Sequence, residues 1–323
     1  MVKKMMKTVR DFDVKNKRVL VRCDFNVPLD EQGNITDDFR IKQTLPTIEY
    51  LLKNKAKVIL MSHLADNRSL DVVWDRVKKY LGAESREIIF LDNLRINKGE
   101  EENDDNFARE LAKLGDIYIN DAFGVCHRAH ASIVGVPKYL PSGAGFLLEK
   151  EVKILSMVLE SPRRPLTAII GGVKIESKSK VIEKFLEKAD YLLIGGKIAN
   201  VVSIESDKLY LPVDSNNSFD IGSQTIKLFS EVIKKAKMIF WSGPMGRFEE
   251  PEYEEGTKAI AEAISSNQGA FKVAGGGDTL FAISKFGLQD KFDHLSTGGG
   301  AMLSFLGGEI LPGLEALKWK SKI

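Results

Sequence analysis

Three consecutive glycines, Gly275, Gly276 and Gly277, form the segment whose residue types point most clearly to chemistry. They follow the short apolar run "FKVA" and precede Asp278 and Thr279, after which the apolar spacing predicts a helix. Adjacent glycines are costly to order and contribute no side-chain contacts. They do let an anion approach backbone N–H groups, and a helix N-terminus adds unpaired N–H donors and a positive dipole. The segment therefore predicts a phosphate site with a carboxylate beside it.

Glycines also follow four other apolar runs in the second half of the chain. They are Gly171 and Gly172, Gly195 and Gly196, the segment "SGPMG" (242–246), and Gly298, Gly299 and Gly300. One glycine pair after a strand is an ordinary turn, but five such segments in one half predict a nucleotide site. No GxGxxG follows the first strand and GxxxxGK[ST] is absent, so the sequence supports neither a dinucleotide fingerprint nor a P-loop.

Lys174 and Lys178 follow the first of these glycine pairs. If a helix has already begun there, their spacing places both on one face. A solvated helix start is the alternative, but a cation is mildly unfavourable at a helix N-terminus. Lysines in this position are better explained by an anion that they bind.

The first half ends its apolar runs in a different way, with charged and amide side chains. These residues are Arg22, Asp24, Asn26, Arg40, His63, Arg95, Asp121, His127, Arg128 and His130. Guanidinium groups bind carboxylates and phosphates through paired hydrogen bonds. The cluster therefore predicts a site for a small, multiply anionic substrate. The spacing of His127 and His130 alone does not support a zinc site, because such sites need two further ligands at set spacing.

The elements that must position these residues are short apolar strands separated by amphipathic helices. Predicted strands are 18–23, 56–62, 87–91, 116–120, 166–170, 191–195, 237–241, 271–274 and 294–296. Their apolar runs are continuous rather than alternating, which is typical of parallel sheets covered on both faces. Helical spacing is found in 107–114, 179–189 and 255–265.

Alternation of strands and helices in both halves predicts an α/β fold. We expect two doubly wound, mainly parallel-sheet Rossmann-like domains joined by a helix and hinge. The segment "FLLEKEVKILSMVLESPRRP" has helical spacing and no glycine, so it fits a helix that connects residues 1–150 with residues 151–305. In such sheets ligands bind at the carboxyl ends of the strands.

Composition limits the class of protein. The 323 residues are enough for two domains, and 43% apolar with 28% charged residues is ordinary for a soluble globular protein. A net charge of +2 gives no reason to expect a nucleic acid or an anionic membrane as partner. The two cysteines fit reduced thiols in a cytoplasmic protein. The basic N-terminus lacks the apolar stretch of a signal peptide, and no apolar run reaches the roughly 20 residues of a membrane span.

Ten segments, in this order along the whole chain, resemble phosphoglycerate kinases. They are "RVLVRCDFNVPLD", "DDFRI", "MSHL", "DNLR", "INDAFGVCHRAHAS", "GFLLEKE", "IIGGVKIESK", "GPMGRFE", "VAGGGDT" and "LSTGGGAML". The resemblance implies Mg²⁺-dependent phosphoryl transfer between 1,3-bisphosphoglycerate and ADP, giving 3-phosphoglycerate and ATP. It also implies a glycerate-binding N-terminal domain, a nucleotide-binding C-terminal domain, and a C-terminal segment, 306–323, that returns to the N-terminal domain.

The resemblance also implies roles for individual residues. In the first domain, Asp24 and Asn26 would hold the hydroxyl and carboxylate region of the glycerate, and Arg40 would lie closest to the transferring group. The remaining members of the basic patch would be His63, Arg95, Arg128 and His130.

In the second domain, Lys174 and Lys178 would contact the nucleotide phosphates and the group in transfer. Gly195 and Gly196 would lie beside the adenine, Glu249 would hold the ribose, and Gly298, Gly299 and Gly300 would donate N–H groups to the transition state. The remaining assignments place phosphate on Gly275, Gly276, Gly277 and Thr279, and Mg²⁺ on Asp278.

The chain departs from the family pattern at several points. The chain is shorter than is usual in the family. Asp66 stands where the family has an arginine after "SHL", and Ser242 stands where the family has an asparagine. Arg68 is a candidate replacement for that arginine, and an ordinary loop arginine is the alternative. Segments are also missing after Asn200 and Asp214, beside the expected adenine pocket, which leaves nucleotide choice open.

Three functions are compatible with this sequence. They are an active phosphoglycerate kinase with reduced loops, a non-catalytic relative that binds nucleotide only, and an acyl-phosphate kinase with a different acceptor. The presence of Lys174, Asp278 and Thr279 together with the glycine triplet favours the first, because a scaffold would not need all of them. Two rims on separate domains can meet one phosphoryl group only if the domains close. We therefore expect hinge closure, and a monomer, since closing domains leave little free rim for a partner.

Overall fold

A computed structural model describes residues 6–176 and 178–319, and the chain divides into two compact units. The first unit contains the chain up to Val152 together with the segment from Ile310. The second unit is Lys153–Glu309. The helix α4, Phe146–Glu160, contains the boundary between them. The assignment of one substrate to each domain remains a prediction.

The first unit is built on a five-stranded parallel sheet. Its strands are β1 (Arg18–Cys23), β2 (Lys57–Met61), β3 (Ile88–Phe90), β4 (Ile117–Asp121) and β5 (Ser142–Ala144), in the order β3-β2-β1-β4-β5. Arg22 is in register with Met61, and Cys23 with Asp121. The residues that follow β1, β2 and β4 therefore meet at one edge of the sheet.

Helices pack against this sheet and complete its apolar core. They are α1 (Phe39–Lys53), α2 (Asp71–Leu81), α3 (Asp105–Leu114) and the first part of α4. A short helix, Pro312–Ala316, belongs to the same unit. Its Gly313 donates its N–H to the carbonyl of Cys126 at 2.9 Å, and a side chain on Gly313 would be 2.9 Å from Ile133. The C-terminal segment thus packs against the loop that carries the predicted basic residues.

The second unit is built on a six-stranded parallel sheet. Its strands are β6 (Leu166–Ile170), β7 (Tyr191–Ile194), β8 (Leu209–Tyr210), β11 (Met238–Ser242), β12 (Phe271–Gly275) and β13 (His294–Ser296), in the order β13-β12-β11-β6-β7-β8. Ser242 and Ile194 are both in register with Ile170, and Gly275 with Ser296. The glycine-rich segments after these strands therefore lie along one edge.

Helices and one hairpin surround the second sheet. The helices are α5 (Ser179–Lys188), α6 (Ser223–Lys235), α7 (Glu255–Ser266), α8 (Gly277–Lys285) and α9 (Gly300–Leu306). The hairpin pairs β9 (Ser215–Asn216) with β10 (Asp220–Ile221). Its turn places Asn217 and Ser218 at φ of 49° and 62°, a conformation that Asn tolerates better than most residues.

The predicted α/β class with two mainly parallel sheets is confirmed, and all nine predicted strands are present with ends that differ by at most one residue. The sequence did not predict β5, β8 or the hairpin, which have two or three residues each. One expectation needs correction: α5 begins only at Ser179, so Lys174 and Lys178 do not share a helix face. No helix of residues 6–176 and 178–319 combines the length and the hydrophobicity of a membrane span.

Candidate functional site

Asp24 and Arg40 form an ion pair at the carboxyl edge of the first sheet. Asp24 follows β1 and is only 3% exposed, because strands and loops enclose it. A terminal nitrogen of Arg40, at the start of α1, lies 3.0 Å from Asp24 Oδ2 and 3.1 Å from the carbonyl oxygen of Asn26. Burial by itself would raise the pKa of Asp24, but the charge of Arg40, together with that of Arg22, lowers it below its usual range. Asp24 is therefore held as a carboxylate.

His63 follows β2 and contacts the same group of residues. Its ring nitrogen Nδ1 lies 3.3 Å from a terminal nitrogen of Arg22, and the side chain is almost wholly buried. Burial, and then the charge of Arg22, lower the pKa of His63 to about 3, while Asp24 opposes this and Arg95 and Arg40 reinforce it. His63 is consequently neutral at physiological pH, although it lies among cationic groups.

Arg95 and His130 adjoin this cluster, and each has an acidic neighbour. Arg95 Nε lies 3.2 Å from Glu101, and His130 Nδ1 lies 3.8 Å from the buried Glu100. The pKa of His130 lies below its usual range, mainly because the residue is buried. The charge of Glu100 opposes this shift and the charge of Arg95 adds to it. Arg95 thus acts electrostatically on both His63 and His130. The structure therefore brings Asp24, Arg40, His63, Arg95 and His130 together.

Asn26 and Arg128 lie at the margin of the cluster. Asn26 Oδ1 accepts a hydrogen bond from the N–H of Ala65 at 3.0 Å, which ties the loop after β1 to the loop after β2. Arg128 is exposed, and its charge acts on His127, on which Asp24 and His130 also act. Arg128 is thus close to the cluster but open to solvent.

Arg68 lies on an exposed loop, and the side chain of Asn93 orders the backbone there. Asn93 Nδ2 donates to the carbonyl oxygens of Leu64 and Arg68 at 2.9 and 2.8 Å. Arg68 is not among the charged groups that act on the pKa of His63. Whether it replaces the missing arginine stays a prediction.

Lys178 occupies the carboxyl edge of the second sheet, between β6 and β11. Its ammonium group donates to the carbonyl of Gly171 and lies 3.4 Å from the carbonyl oxygen of Ser242. Burial lowers the pKa of Lys178 to about 8, and the charge of Asp278 opposes that shift. Asp278 and Lys178 are therefore neighbours in one charged site. Lys174 is exposed on the loop before them.

The glycines of this edge fall into two groups. In the first, added side chains would collide: a Cβ on Gly243 would lie 2.1 Å from the carbonyl oxygen of Gly171, and one on Gly195 would lie 2.4 Å from Met245 Sδ. Gly243 and Gly196 also have φ of 98° and 64°, which L-residues rarely adopt. In the second group, a Cβ on Gly277 would meet nothing within 4 Å. Packing requires glycine in the first group but not at Gly277.

The residues after β12 form the start of α8. Gly276 precedes the helix with φ of 103°, Asp278 is exposed in its first turn, and Thr279 is buried. The N–H of Gly243 donates to Thr279 Oγ1 at 2.7 Å, which joins the loop after β11 to α8. An exposed carboxylate at a helix N-terminus with backbone donors beside it can bind a cation together with an anion.

Glu249 and the last glycine triplet flank this centre. Glu249 is exposed, and the neighbouring Phe248 packs edge-on against Phe281 of α8 with ring centroids 5.7 Å apart. Gly299 precedes α9 with φ of 48°, and the N–H of Gly298 donates to Ser296 Oγ at 3.1 Å. Both segments border the edge that carries Lys178 and Asp278.

Arg22, which the sequence placed among the charged residues at the strand ends, is buried and contacts His63, whereas sequence reasoning missed the buried Glu100, which lies 3.8 Å from His130 Nδ1. The position of Arg22 inside the apolar run "RVLVRC" indicates that it has a buried partner, because a buried charge needs one. Nothing local distinguishes Glu100, since it lies in the acidic segment "GEEENDD".

Comparisons with known proteins give one family. The family model described as "Phosphoglycerate kinase" matches residues 9–84, 69–210 and 204–309. The phosphoglycerate kinase of Dictyoglomus turgidum is 41% identical over 397 aligned residues, covering 99% of this chain and 100% of the relative. That of Aquifex aeolicus is 43% identical over 390, covering 96% and 98%. Both alignments are longer than the 323 residues of this chain, so these relatives contain internal segments that it lacks.

Comparison with solved structures gives the same family. The phosphoglycerate kinase of Coxiella burnetii superposes with a TM-score of 0.85 at 35% identity, covering 98% of this chain and 100% of that one. The enzyme of Pyrococcus horikoshii gives a TM-score of 0.85 at 30% identity, covering 97% and 98%.

Proposed function

The chain belongs to the phosphoglycerate kinase family and is a phosphotransferase, and from this premise we propose its substrates and the residues that bind them. The reaction is the Mg²⁺-dependent, reversible transfer of a phosphoryl group between 1,3-bisphosphoglycerate and ADP, giving 3-phosphoglycerate and ATP. The observation that carries the proposal is the cluster in which Arg40 and His63 adjoin the buried carboxylate of Asp24, with Arg95 close to both His63 and His130.

The first unit binds the glycerate. Arg95, whose Nε faces Glu101, and the exposed Arg128 offer guanidinium donors to the phosphate and carboxylate of 3-phosphoglycerate, which guanidinium binds well. Asp24 accepts from the substrate hydroxyl, with Asn26 beside it. Arg40 is held on Asp24 at 3.0 Å, so it keeps a fixed place at the edge of the cluster. From there it contacts the transferring group.

The second unit binds the nucleotide. Lys174 and Lys178 contact its phosphates, Gly195 and Gly196 lie beside the adenine, and Glu249 holds the ribose. The phosphate donors are the N–H groups of Gly275, Gly276 and Gly277 and of Gly298, Gly299 and Gly300, with the hydroxyl of Thr279.

Asp278 fits a Mg²⁺ ion that arrives with the nucleotide. No group of three or more His, Cys, Asp or Glu side chains in residues 6–176 and 178–319 could form a complete protein cage. Mg²⁺ is commonly held by one or two carboxylates together with substrate phosphates, and Asp278 is an exposed carboxylate at the start of α8. When bound, the ion neutralises charge on the phosphate oxygens.

The residue types agree with the chemistry. The attacking oxygen, on ADP or on the carboxylate, is already an anion, so the reaction needs neither a general base nor a nucleophilic side chain. Catalysis then consists of alignment and of neutralising charge on the transferring oxygens. A single donor of this kind contributes on the order of 3–4 kcal/mol to transition-state stabilisation. We further propose that domain closure unites the two sets of donors, and that the enzyme is a cytoplasmic monomer.

Coupled turnover of 3-phosphoglycerate with ATP and Mg²⁺ tests the proposal. We expect saturable turnover that stops when Mg²⁺ is chelated. Nucleotide binding without turnover would refute it in favour of a binding protein. Because Asp66 replaces the family arginine, a non-phosphorylated hydroxy acid is the matched control substrate. Equal turnover of that acid would show that the acceptor has changed.

A further inference from the structure

Arg22 and Glu100 form a charged pair beneath the glycerate cluster, and neither side chain is exposed. Buried charges are tolerated when they are paired and hydrogen-bonded. Arg22 Nε donates to Ser132 Oγ at 2.8 Å, and one terminal nitrogen donates to the carbonyl of Cys23. Glu100 accepts from Ser132 N and Oγ at 2.9 and 2.6 Å. The hydroxyl of Ser132 therefore links the two charged groups and fixes the direction of the guanidinium.

The other terminal nitrogen of Arg22 faces His63 Nδ1 at 3.3 Å. A guanidinium group has only donors, so Nδ1 of His63 must supply the lone pair at this contact. A proton on Nδ1 would oppose two N–H groups and add a second positive charge beside the first. The single ring proton of His63 therefore lies on Nε2, and within the described parts of the chain no residue hydrogen-bonds Nε2.

We propose that Arg22, fixed by Glu100 and Ser132, is a positioning residue that holds His63 as the neutral tautomer with its proton on Nε2. His63 then offers a permanent N–H donor to the anionic substrate and does not exchange protons with it. The inference rests on the proposed function only in naming 3-phosphoglycerate as that anion.

The surroundings of His63 support a fixed protonation state. Four charged groups face it: Arg22 from β1, Asp24 after β1, Arg40 from α1 and Arg95 from the loop after β3. Three of the four are cations, and burial also disfavours a charged ring, so the pKa of about 3 has a consistent physical cause. Burial also lowers the pKa of His130, but its Nδ1 lies 3.8 Å from the carboxylate of Glu100, which opposes that shift.

Ring ¹⁵N NMR of the ligand-free protein tests the inference without substrate. The chain has four histidines, so His63→Gln identifies the His63 signals. We expect a protonated Nε2, an unprotonated Nδ1 and no titration between pH 5 and pH 8. Removing both charges in Arg22→Met with Glu100→Leu should mix the tautomers and move the pKa of His63 toward about 6.5. The exposed pair Arg18 and Asp116, which joins the other ends of β1 and β4, gives the control: Arg18→Met with Asp116→Asn should leave His63 unchanged.

A proton on Nδ1, or an ordinary titration of His63 in the wild-type protein, would overturn the inference. An unchanged tautomer and pKa of His63 in the folded Arg22→Met, Glu100→Leu variant would also overturn it.

If that variant does not fold, substitutions of His63 itself test whether its Nε2–H is a donor to the substrate. The Gln side chain offers a donor in place of Nε2–H and does not titrate, so His63→Gln should keep the KM for 3-phosphoglycerate within about threefold. His63→Leu loses a hydrogen bond to a charged group, so it should raise that KM about ten- to a hundred-fold. Equal effects of Gln and Leu would refute the donor role. Failure of turnover with the predicted NMR spectrum would refute the proposed function alone.

Discussion

Replacing Gly277 with alanine separates glycines that serve the fold from glycines that serve the ligand. A Cβ on Gly277 would meet nothing within 4 Å, and Gly277 lies in the first turn of α8. Substituting alanine for glycine at a compatible helical position stabilises a protein by about 0.4–1 kcal/mol, because the unfolded chain has less freedom to lose. We therefore expect Gly277→Ala to keep or slightly raise thermal stability.

Nucleotide binding should respond in the opposite direction. The open space beside Gly277 is where a phosphate would approach the N–H groups of α8, and a methyl group would hold it away. Losing one or more charge-assisted hydrogen bonds of about 1.5–3 kcal/mol each should weaken MgADP binding about ten- to a hundred-fold. Isothermal titration calorimetry of the variant measures this change.

Gly243→Ala, in the loop that follows β11, is the matched control. Its Cβ would lie 2.1 Å from the carbonyl oxygen of Gly171 and 2.3 Å from Lys178 Nζ, and its φ is 98°. A left-handed residue costs roughly 1–2 kcal/mol and an overpacked core roughly 1–3 kcal/mol, so the second unit should lose about 2–5 kcal/mol. For a unit of this size each kcal/mol lowers Tm by about 2–4 °C. If Gly277→Ala bound MgADP as tightly as the wild type, or lost as much stability as Gly243→Ala, the reasoning would be refuted.

Four other substitutions have expected outcomes. Arg40→Ala should lower kcat about 10²–10³-fold with an unchanged circular dichroism spectrum; near-normal turnover would contradict its placement at the transferring group. Asp278→Ala should weaken calorimetric binding of MgADP but not of metal-free ADP. Arg68→Ala should raise the KM for 3-phosphoglycerate if it replaces the missing arginine, and an unchanged KM would end that idea. Burial raises the pKa of Asp121 to about 7, whereas the unfolded chain loses this proton near pH 4, so stability is lost as pH rises between these two values; Asp121→Asn should flatten the Tm profile between about pH 4 and pH 7.

The sequence predicted the elements that have a strong apolar signal. Strands such as β7 and β11 are almost entirely apolar runs of four or five residues, and such runs have few alternative conformations in an α/β protein. The strand β5 has the sequence "SGA", and β8 has only two residues. Their pairing depends on the sheet that is already present beside them, so their own residues carry no detectable pattern.

The candidate site was predictable to the extent that parallel strands bring their carboxyl ends together. That rule placed Asp24 near His63 before any distance was known, and the structure joins them through Arg22 and Arg40. The rule says nothing about residues whose partners are distant in sequence. Glu100 was missed for that reason, because it meets Arg22 only through the folded loop that contains Ser132.

The missing segments fall where the fold can lose them. The family model matches in overlapping pieces, and the overlaps lie at 69–84 and 204–210, where chain and family differ in length. The first overlap precedes β3 and the second contains β8, and both are edge strands of their sheets. Ile89, the middle residue of β3, is 59% exposed, as expected for a strand with a neighbour on one side only. Most of the candidate site follows the central strands β1, β2, β4, β6, β11 and β12, which are paired on both sides, although Arg95 follows β3 and the last glycine triplet follows β13. Shortening at the edges therefore affects the borders of the substrate sites and leaves the charged centre in place, which is why the reaction is expected to persist while substrate affinity and nucleotide choice can change.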